Sequence, residues 1–210
     1  MSDVPALEVR DLHKYFGTHE VLKGIDMTAH KGDVISLIGS SGSGKSTLLN
    51  ILGLLDAPTG GEMEFEGVPV HSIPRNRAAK IRGRDVGFVF QSFNLVPTLT
   101  AIENITLPLD ISGRKPDEQW LNAVIDRLGL RDRLDHRPTE LSGGQQQRVA
   151  CARALVGRPE IIFGDEPTGN LDSRSGAEVL SILRAAVDDF RQTVVIVTHD
   201  PRAASYADRV

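Results

Sequence analysis

The most constraining feature of this sequence is one run of eight residues, Gly39-Ser40-Ser41-Gly42-Ser43-Gly44-Lys45-Ser46. It matches the pattern G-x-x-x-x-G-K-[ST], and it stands between a β-branched apolar run, Val34–Ile38, and a segment with apolar residues at helical spacing, residues 45–55. Glycines allow the backbone to curve closely around phosphate oxygens, and the N–H groups that begin the following helix attract the anion. The run therefore predicts a strand, a phosphate-binding loop and a helix, in place of a flexible glycine-serine turn.

Three side chains at the end of this loop have defined chemical uses in such a site. Lys45 supplies a point charge for the phosphates, the Ser46 hydroxyl is placed to coordinate Mg²⁺, and Thr47 completes the cradle around the α-phosphate. The expected ligands are a nucleoside triphosphate such as ATP and its Mg²⁺.

A second polar pair follows another apolar run, Ile161-Ile162-Phe163. Parallel strands end at one edge of a sheet, so Asp165 and Glu166 are expected at the same edge as the loop. Asp165 is predicted to hold the Mg²⁺ shell, and Glu166 to accept a proton from an attacking water. Taken alone, Asp-Glu-Pro could also be a solvated turn; Gly164 stands where a larger apolar residue is usual.

The remaining pattern predicts an α/β fold. Residues 7–12 alternate apolar and polar side chains, whereas Val86–Phe90 and Thr193–Thr198 are apolar runs typical of buried strands. Between residues 92 and 157 the periodicity becomes helical, with one apolar face formed by Trp120, Val124, Ile125 and Leu128. A short helix is predicted over residues 201–208.

Composition limits the other possibilities. A length of 210 residues fits one domain with an inserted lobe, and a net charge of −4 disfavours nucleic acid as a partner. The single cysteine, Cys151, cannot form an internal disulfide, which is typical of a reducing compartment. Neither a signal-peptide layout at the start nor an apolar stretch of about 18 residues is visible, so a cytoplasmic chain that does not itself span a membrane is expected.

The run Leu141-Ser142-Gly143-Gly144-Gln145 precedes an amphipathic segment, and here the sequence resembles the ABC ATPase family. Ser142 could simply be a helix N-cap followed by a glycine hinge, but the run also exposes N–H groups that can bind a second anion. The resemblance covers essentially the whole chain. It implies a head-to-tail dimer, most simply of identical copies, in which Ser142, Gly143, Gly144 and Gln145 of one copy close over the ATP held by the other.

The resemblance also implies a fold. It is an α/β P-loop NTPase core with a mixed, largely parallel sheet, an N-terminal antiparallel β portion and an inserted helical subdomain. Residues 1–210 would form a single ATPase domain, with the nucleotide-binding core at 1–91 and 158–210 and the helical signature subdomain at 92–157. A further strand and turn beyond Val210 is usual in the family.

Four more positions match functional residues of the family. Tyr15 looks like the aromatic that stacks on adenine, although a buried tyrosine at a strand end is an alternative. Gln91 is similar to the glutamine that contacts Mg²⁺ and the attacking water and senses the membrane partner. Asp172, in Asn170-Leu171-Asp172, matches the loop that crosses the dimer seam. His199 resembles the histidine that contacts the γ-phosphate, although a lone histidine can be an ordinary surface or core residue.

Because Lys45, Asp165, Glu166, Gln91 and His199 are all present, ATP hydrolysis is expected. Residues 87–104 and 165–172 look like the lipoprotein-release and macrolide-export branch, whereas 13–17 and 34–45 are similar to importers of polar amino acids. The first branch is favoured, because the family contacts its integral membrane permease through the segment after Gln91. This implies a peripheral position on the inner face of the cell membrane. An ABC ATPase without a permease and a non-hydrolysing ATP sensor are the rival functions.

Overall fold

In the computed structural model, which describes residues 4–210, the strands form two separate sheets. The first sheet is antiparallel, as predicted for the N-terminal part, and it contains β1 (Leu7–Phe16), β2 (His19–Ala29), β4 (Gly60–Phe65) and β5 (Val68–Pro69). Its spatial order is β2-β1-β4-β5. The β1–β2 hairpin turns at Gly17, whose φ of 60° lies in the left-handed region that glycine adopts without strain.

The second sheet is parallel throughout, with the order β3-β8-β7-β6. Its strands are β3 (Val34–Ile38), β6 (Val86–Phe90), β7 (Ile161–Asp165) and β8 (Thr193–Thr198). The predictions for these strands are confirmed, and β7 extends to Asp165. All four strands end at one edge, where the chain continues into Gly39, Gln91, Glu166 and His199. The topology thus gathers the predicted site at a single edge.

The parallel sheet is buried on both faces. Phe163 and Val195 point to one side, where they pack with α1 (Lys45–Leu52) and the antiparallel sheet. Ile162 and Val194 point to the other side, toward the helices. This double burial explains why the strands read as continuous apolar runs instead of alternating ones.

The helices that cover the second face come mainly from the predicted helical segment. After α2 (Arg75–Asp85) the chain forms α3 (Ala101–Ile111), α4 (Glu118–Arg127), α5 (Gly143–Leu155) and α6 (Ser173–Phe190), with 3₁₀ helices at Arg131–Arg133, Pro138–Glu140 and Pro201–Tyr206. The predicted apolar face around α4 is confirmed, since Trp120, Val124, Ile125 and Leu128 are all buried. Among the described residues, none of the helices combines the length and the apolar content needed to cross a bilayer.

Two predicted helix ends are wrong. Helix α1 ends at Leu52, not at residue 55, because the chain turns at Leu54, whose φ of 59° is left-handed and whose N–H donates to the Ile51 carbonyl at 3.0 Å. The closing helix is a 3₁₀ helix that ends at Tyr206, not residue 208. Beyond it, the Asp208 carboxylate accepts the Val34 N–H at 2.9 Å, which fixes the chain beside β3.

Candidate active site

A cavity of about 630 Å³ opens at the carboxyl edge of the parallel sheet. It is bordered by residues of the glycine-rich loop, of α1 and of three strand ends: Val21, Ser41, Gly42, Gly44, Lys45, Ser46, Thr47, Gln91, Glu166 and His199. The structure therefore brings the predicted phosphate loop together with Gln91, Glu166 and His199, which are distant in sequence.

The glycine-rich loop needs glycine at two places. Gly42 and Gly44 have φ values of 80° and 91°, in the left-handed region. A Cβ on Gly44 would also lie 3.2 Å from the Val21 carbonyl oxygen. Gly44 is the N-cap of α1, and no side chain caps this helix. The first N–H groups of α1 are therefore directed into the cavity without a side-chain acceptor, an arrangement suited to phosphate.

Lys45 lies within the curve of the loop. Its Nζ donates to the carbonyl oxygens of Gly39 and Ser40, both at 2.7 Å, and it lies 3.4 Å from the Ser43 hydroxyl. These bonds hold the ammonium group at the position where a bound phosphate would replace neutral acceptors with charged ones. Such charge-assisted hydrogen bonds are about twice as strong as neutral ones.

Ser46 and Asp165 form the candidate metal site. The Ser46 hydroxyl donates to Asp165 Oδ1 at 3.1 Å. Burial is the main cause that raises the pKa of Asp165, and the hydroxyl of Ser46 opposes this shift. Mg²⁺ is commonly held by one or two carboxylates together with waters and substrate phosphates, so this pair of hard oxygen ligands fits the ion.

Glu166 is the most constrained residue of the site. Its φ of 48° is left-handed, a costly conformation for a residue other than glycine, and its N–H donates to the Val197 carbonyl at 2.8 Å. Its carboxylate accepts from the Thr198 hydroxyl at 3.1 Å and pairs with His199 Nδ1 at 2.8 Å. The Glu166 side chain is 19% exposed and that of His199 70%, so a shielded carboxylate with proton-accepting capacity lies beneath a solvent-facing imidazole.

Gln91 is held by the loop that follows β7. Its Nε2 donates to Asn170 Oδ1, and Asn170 Nδ2 donates to the Gln91 carbonyl, both at 3.1 Å. A Cβ at Gly169 would lie 2.7 Å from Gln91 Nε2, so only glycine leaves room for the amide. These two hydrogen bonds join Gln91 to the segment that contains Asp172.

Sequence reasoning missed one polar residue of this region, Gln147 on α5. It is 0% exposed, and its Nε2 donates to the carbonyls of Pro167 and Phe90. One amide thereby joins α5 to the residues directly beside Glu166 and Gln91. The available signal was a polar residue on the buried face of α5, four residues before Cys151, but its acceptors come from other parts of the chain.

Residues 142–145 lie elsewhere: none of them borders the cavity. Ser142 caps α5 by accepting from the Gln145 N–H at 3.3 Å, and the Ser142 N–H donates to Gln145 Oε1 at 2.9 Å. The N-cap interpretation is therefore correct for the single chain. Asp172 is likewise an N-cap, of α6, where it accepts from the N–H groups of Arg174 and Ser175 at 3.0 Å.

Tyr15 also lies outside the residues that border the cavity. It is 43% exposed at the end of β1, so the alternative of a buried tyrosine is wrong. Its partner across the hairpin is Glu20, the neighbour of Val21, which does border the cavity. An exposed ring at this end of the sheet remains available for stacking.

Comparison with known proteins identifies relatives of this chain. A family model described as "ABC transporter" matches residues 22–169. The lipoprotein-releasing system ATP-binding protein LolD of Shewanella frigidimarina is 44% identical over 97% of this chain and 87% of its own length. The macrolide export ATP-binding/permease protein MacB of Marinobacter nauticus is 47% identical over the whole chain, which spans only 33% of that protein.

A solved structure is similar over nearly the same range. It is described as a dimeric post-hydrolysis state of the ATP-binding cassette MJ0796 bound to ADP and Pi. That chain is 39% identical, with a TM-score of 0.84, and the match covers 96% of this chain and 91% of the other. The predicted α/β fold with antiparallel and parallel parts is therefore confirmed.

Proposed function

This chain belongs to the ABC transporter family, and from that premise we propose that it is an ATP-hydrolysing subunit that works as a pair of copies on a separate membrane permease. The observation that carries the proposal is that the two predicted anion-binding runs of one chain do not meet at one cavity. One chain supplies a phosphate loop and the Glu166–His199 pair at one cavity, while its second anion-attracting run, residues 142–145, lies outside that cavity.

Nucleotide binding would use the loop and α1. The N–H groups of residues 39–47 surround the phosphates of ATP, and Lys45 exchanges the carbonyls of Gly39 and Ser40 for phosphate oxygens. Ser46, Asp165 and Gln91 would hold Mg²⁺, which supplies positive charge to the β- and γ-phosphates. Tyr15 would cover the adenine.

Hydrolysis would use Glu166 as the general base. The carboxylate is held by Thr198 and His199 on one side, so its remaining acceptor capacity can orient a water and take its proton. His199 is exposed toward the cavity, where its ring would contact the γ-phosphate. Gln91 would help to position the same water through its amide.

Dimerisation would complete each site. The N-terminus of α5, with Ser142, Gly143 and Gly144, would approach the ATP of a second copy, and Gln145 would hold the cap of that helix. Asp172 would lie at the seam. It accepts from the Ser175 hydroxyl at 2.8 Å, and this hydroxyl lies close to Gly144, where an added Cβ would be 3.1 Å away. The dimeric description of the MJ0796 structure supports this arrangement.

A groove of about 320 Å³ beside the site is suited to a permease segment. It lies between β6, α3 and α5, with an apolar wall that includes Phe88, Pro108 and Leu109 and a basic rim at Arg84 and Arg153. The groove borders Phe90, the residue before Gln91, so a helix inserted there would move Gln91. In this proposal the chain is a peripheral subunit on the inner face of the membrane.

The similarity to LolD and MacB supports a permease of the lipoprotein-release or macrolide-export type. The domain division stays part of this proposal, with a core at 1–91 and 158–210 and a helical subdomain at 92–157. A polar amino-acid importer is the alternative transport class, and it would leave the ATPase chemistry unchanged.

The test of the proposal is Glu166→Gln. We expect ATP binding to persist while hydrolysis falls by about 10²–10⁴, the contribution of a general base. ATP should also convert this variant into a stable dimer, measured by size-exclusion chromatography with light scattering. Glu62→Gln, at an exposed carboxylate far from the cavity, is the matched control. Parental hydrolysis by Glu166→Gln would contradict the assignment of the base.

A further inference from the structure

Helix α2 differs from every other helix in its charge. Its side chains include Arg75, Arg77, Lys80, Arg82 and Arg84 against one acidic residue, Asp85, and none of its residues is fully buried. The chain as a whole is acidic, with a net charge of −4. Helix α2 therefore carries a local excess of positive charge on an acidic chain, and the proposed ATPase chemistry does not use it.

Three of these cations form a stripe. Arg77, Lys80 and Arg84 follow one another at spacings of three and four residues, which places them on one face of the helix. They border a groove of about 500 Å³ between α2 and the β4–β5 hairpin, which two carboxylates, Glu66 and Asp85, also border. Arg84 pairs with Asp85 at 2.7 Å, whereas Arg77 and Lys80 form no ion pair with any residue in the range 4–210.

Apolar groups accompany the cations. The groove is lined by Phe65, Val70 and Ile81, and Val68 at the tip of the hairpin is 44% exposed. Val4, which is 42% exposed, lies beside this tip, since a Cβ on Gly67 would lie 3.3 Å from Val4 Cγ1. Exposed apolar side chains next to a row of Lys and Arg are typical of protein surfaces that lie in a membrane interface.

We propose that this surface, formed by Arg77, Lys80, Arg84, Val4 and Val68 and called here the basic face, binds the surface of an anionic lipid bilayer. The cations would contact headgroup phosphates, and the two valines would enter the boundary with the acyl chains. Nucleic acid offers phosphates but nothing comparable for exposed valines, so a bilayer satisfies both features.

The position of the basic face agrees with the proposal. Arg84 borders both the groove between α2 and the β4–β5 hairpin and the groove proposed for the permease segment. If a permease held the subunit through the permease groove, the end of α2 would thus face the membrane in which the permease lies. The lipid contact goes beyond the proposed function. It can be measured on the purified chain without a permease.

The test uses the purified full-length chain and vesicles of defined composition. The chain should sediment with vesicles of phosphatidylcholine and phosphatidylglycerol in equal parts, should bind pure phosphatidylcholine vesicles much less, and should be released at 0.5 M NaCl because the interaction is screened. Each Lys or Arg near an anionic surface contributes enough that removing two weakens partitioning by roughly 30-fold. We expect this loss for Arg77→Gln with Lys80→Gln.

The matched control is Lys23→Gln with Lys115→Gln, which removes two exposed cations away from α2 and should partition like the parent. Val68→Ser should reduce binding at high lipid without altering the salt dependence. ATP hydrolysis and melting temperature should be unchanged in the α2 double variant, which excludes misfolding. Equal binding to neutral and anionic vesicles, or an α2 variant that binds like the control, overturns the proposal. Loss of permease binding with intact vesicle binding would assign the face to a protein partner instead.

Discussion

Two helix N-termini in this chain contain glycines, but they differ in structure: Gly44 precedes α1, whereas Gly143 and Gly144 are the first residues of α5. Helix α1 begins after Gly44 with no side-chain cap, and its first turn opens into the cavity. Helix α5 begins after Ser142 with a complete capping box formed with Gln145, and its first residues lie outside the cavity. The first terminus therefore has no side-chain acceptor for its N–H groups, whereas the second has the reciprocal hydrogen bonds of Ser142 and Gln145.

The difference shows where the stabilisation of each terminus comes from. An uncapped helix start leaves donors without intrahelical partners, so α1 depends on a ligand to satisfy them. The capping box satisfies part of α5 in the isolated chain, and only its glycine N–H groups remain for a partner's nucleotide. Variants at the two termini should therefore separate effects on nucleotide binding from effects on the assembled pair.

The largest effect is expected at the first terminus. Lys45→Ala removes the only ammonium group that borders the cavity among the described residues. Hydrolysis should fall by about 10³, as when a preorganised electrostatic group is lost. Isothermal titration with ATP and a phosphate-release assay would measure binding and turnover. Lys23→Ala, an exposed lysine on β2, is the control, and near-parental turnover in Lys45→Ala would refute the role of the lysine.

The second terminus should respond to a pair of variants. Ser142→Ala removes the cap, which lowers the melting temperature by about 3 °C. Ser142→Asp keeps a capping acceptor, so the fold should be stable, but it places negative charge toward the neighbour's phosphates and should lower hydrolysis by about 10². Thr100→Asp at the N-cap of α3, another capping box, is the matched control. Parental turnover in Ser142→Asp would mean that this tip never meets the nucleotide.

Gln147 connects α5 with the cavity, because its side chain donates to the carbonyls of the residues beside Glu166 and Gln91. Gln147→Leu removes the Gln147 donor from the Pro167 and Phe90 carbonyls, of which Phe90 keeps the Phe93 N–H at 3.3 Å, and the two catalytic segments lose their common anchor. We expect kcat to fall by about tenfold with the KM for ATP nearly constant, since position and not binding is disturbed. Gln146→Leu, the adjacent amide on α5, should not change kcat, and an equal loss there would attribute the effect to the helix alone.

Local patterns predicted the parallel sheet well. The runs Val86–Phe90 and Thr193–Thr198 are bounded by polar residues at both ends, and each became a strand with those limits. The end of α1 was not predictable, since the chain turns there at Leu54, a leucine with a left-handed φ of 59°, where sequence patterns expect glycine or asparagine. Helix α2 also escaped prediction, because it has no apolar periodicity to recognise.

In the site, too, some features could be predicted from local sequence and others depend on the three-dimensional fold. The phosphate loop and the Asp165–Glu166 pair follow from residue order, since the loop begins directly after β3 and the pair stands at the end of β7. The bonds of Gln147 and of Asn170 depend on which loops meet at the sheet edge, and this is a property of the three-dimensional fold. The cap at Ser142 was one of two interpretations that the sequence left open, whereas the cap at Asp172 was not predicted. Either side chain can satisfy its own helix and also face a second copy.

The smallest effect is expected at Asp172, the cap of α6 next to the second terminus. The Ser175 N–H and then the Ser175 hydroxyl lower the pKa of this carboxyl. Its contribution to stability is therefore complete above its ordinary pKa of 3.8 and is lost as the pH falls through the lower folded value. Asp172→Ala should lower the melting temperature by about 3 °C at pH 7, and the difference should close below pH 3.8.

Asp172→Asn separates the cap from any role across the seam, since asparagine caps helices nearly as well as aspartate. Its melting temperature at pH 7 should stay close to that of the parent. If its ATP hydrolysis then falls while the hydrolysis of an equally stable control, Asp117→Asn at the cap of α4, does not, the carboxylate acts on the partner. If both variants hydrolyse ATP like the parent, Asp172 serves only its own helix. Any contact of the α5 N-terminus with the partner's nucleotide would then be made by Ser142, Gly143 and Gly144 alone.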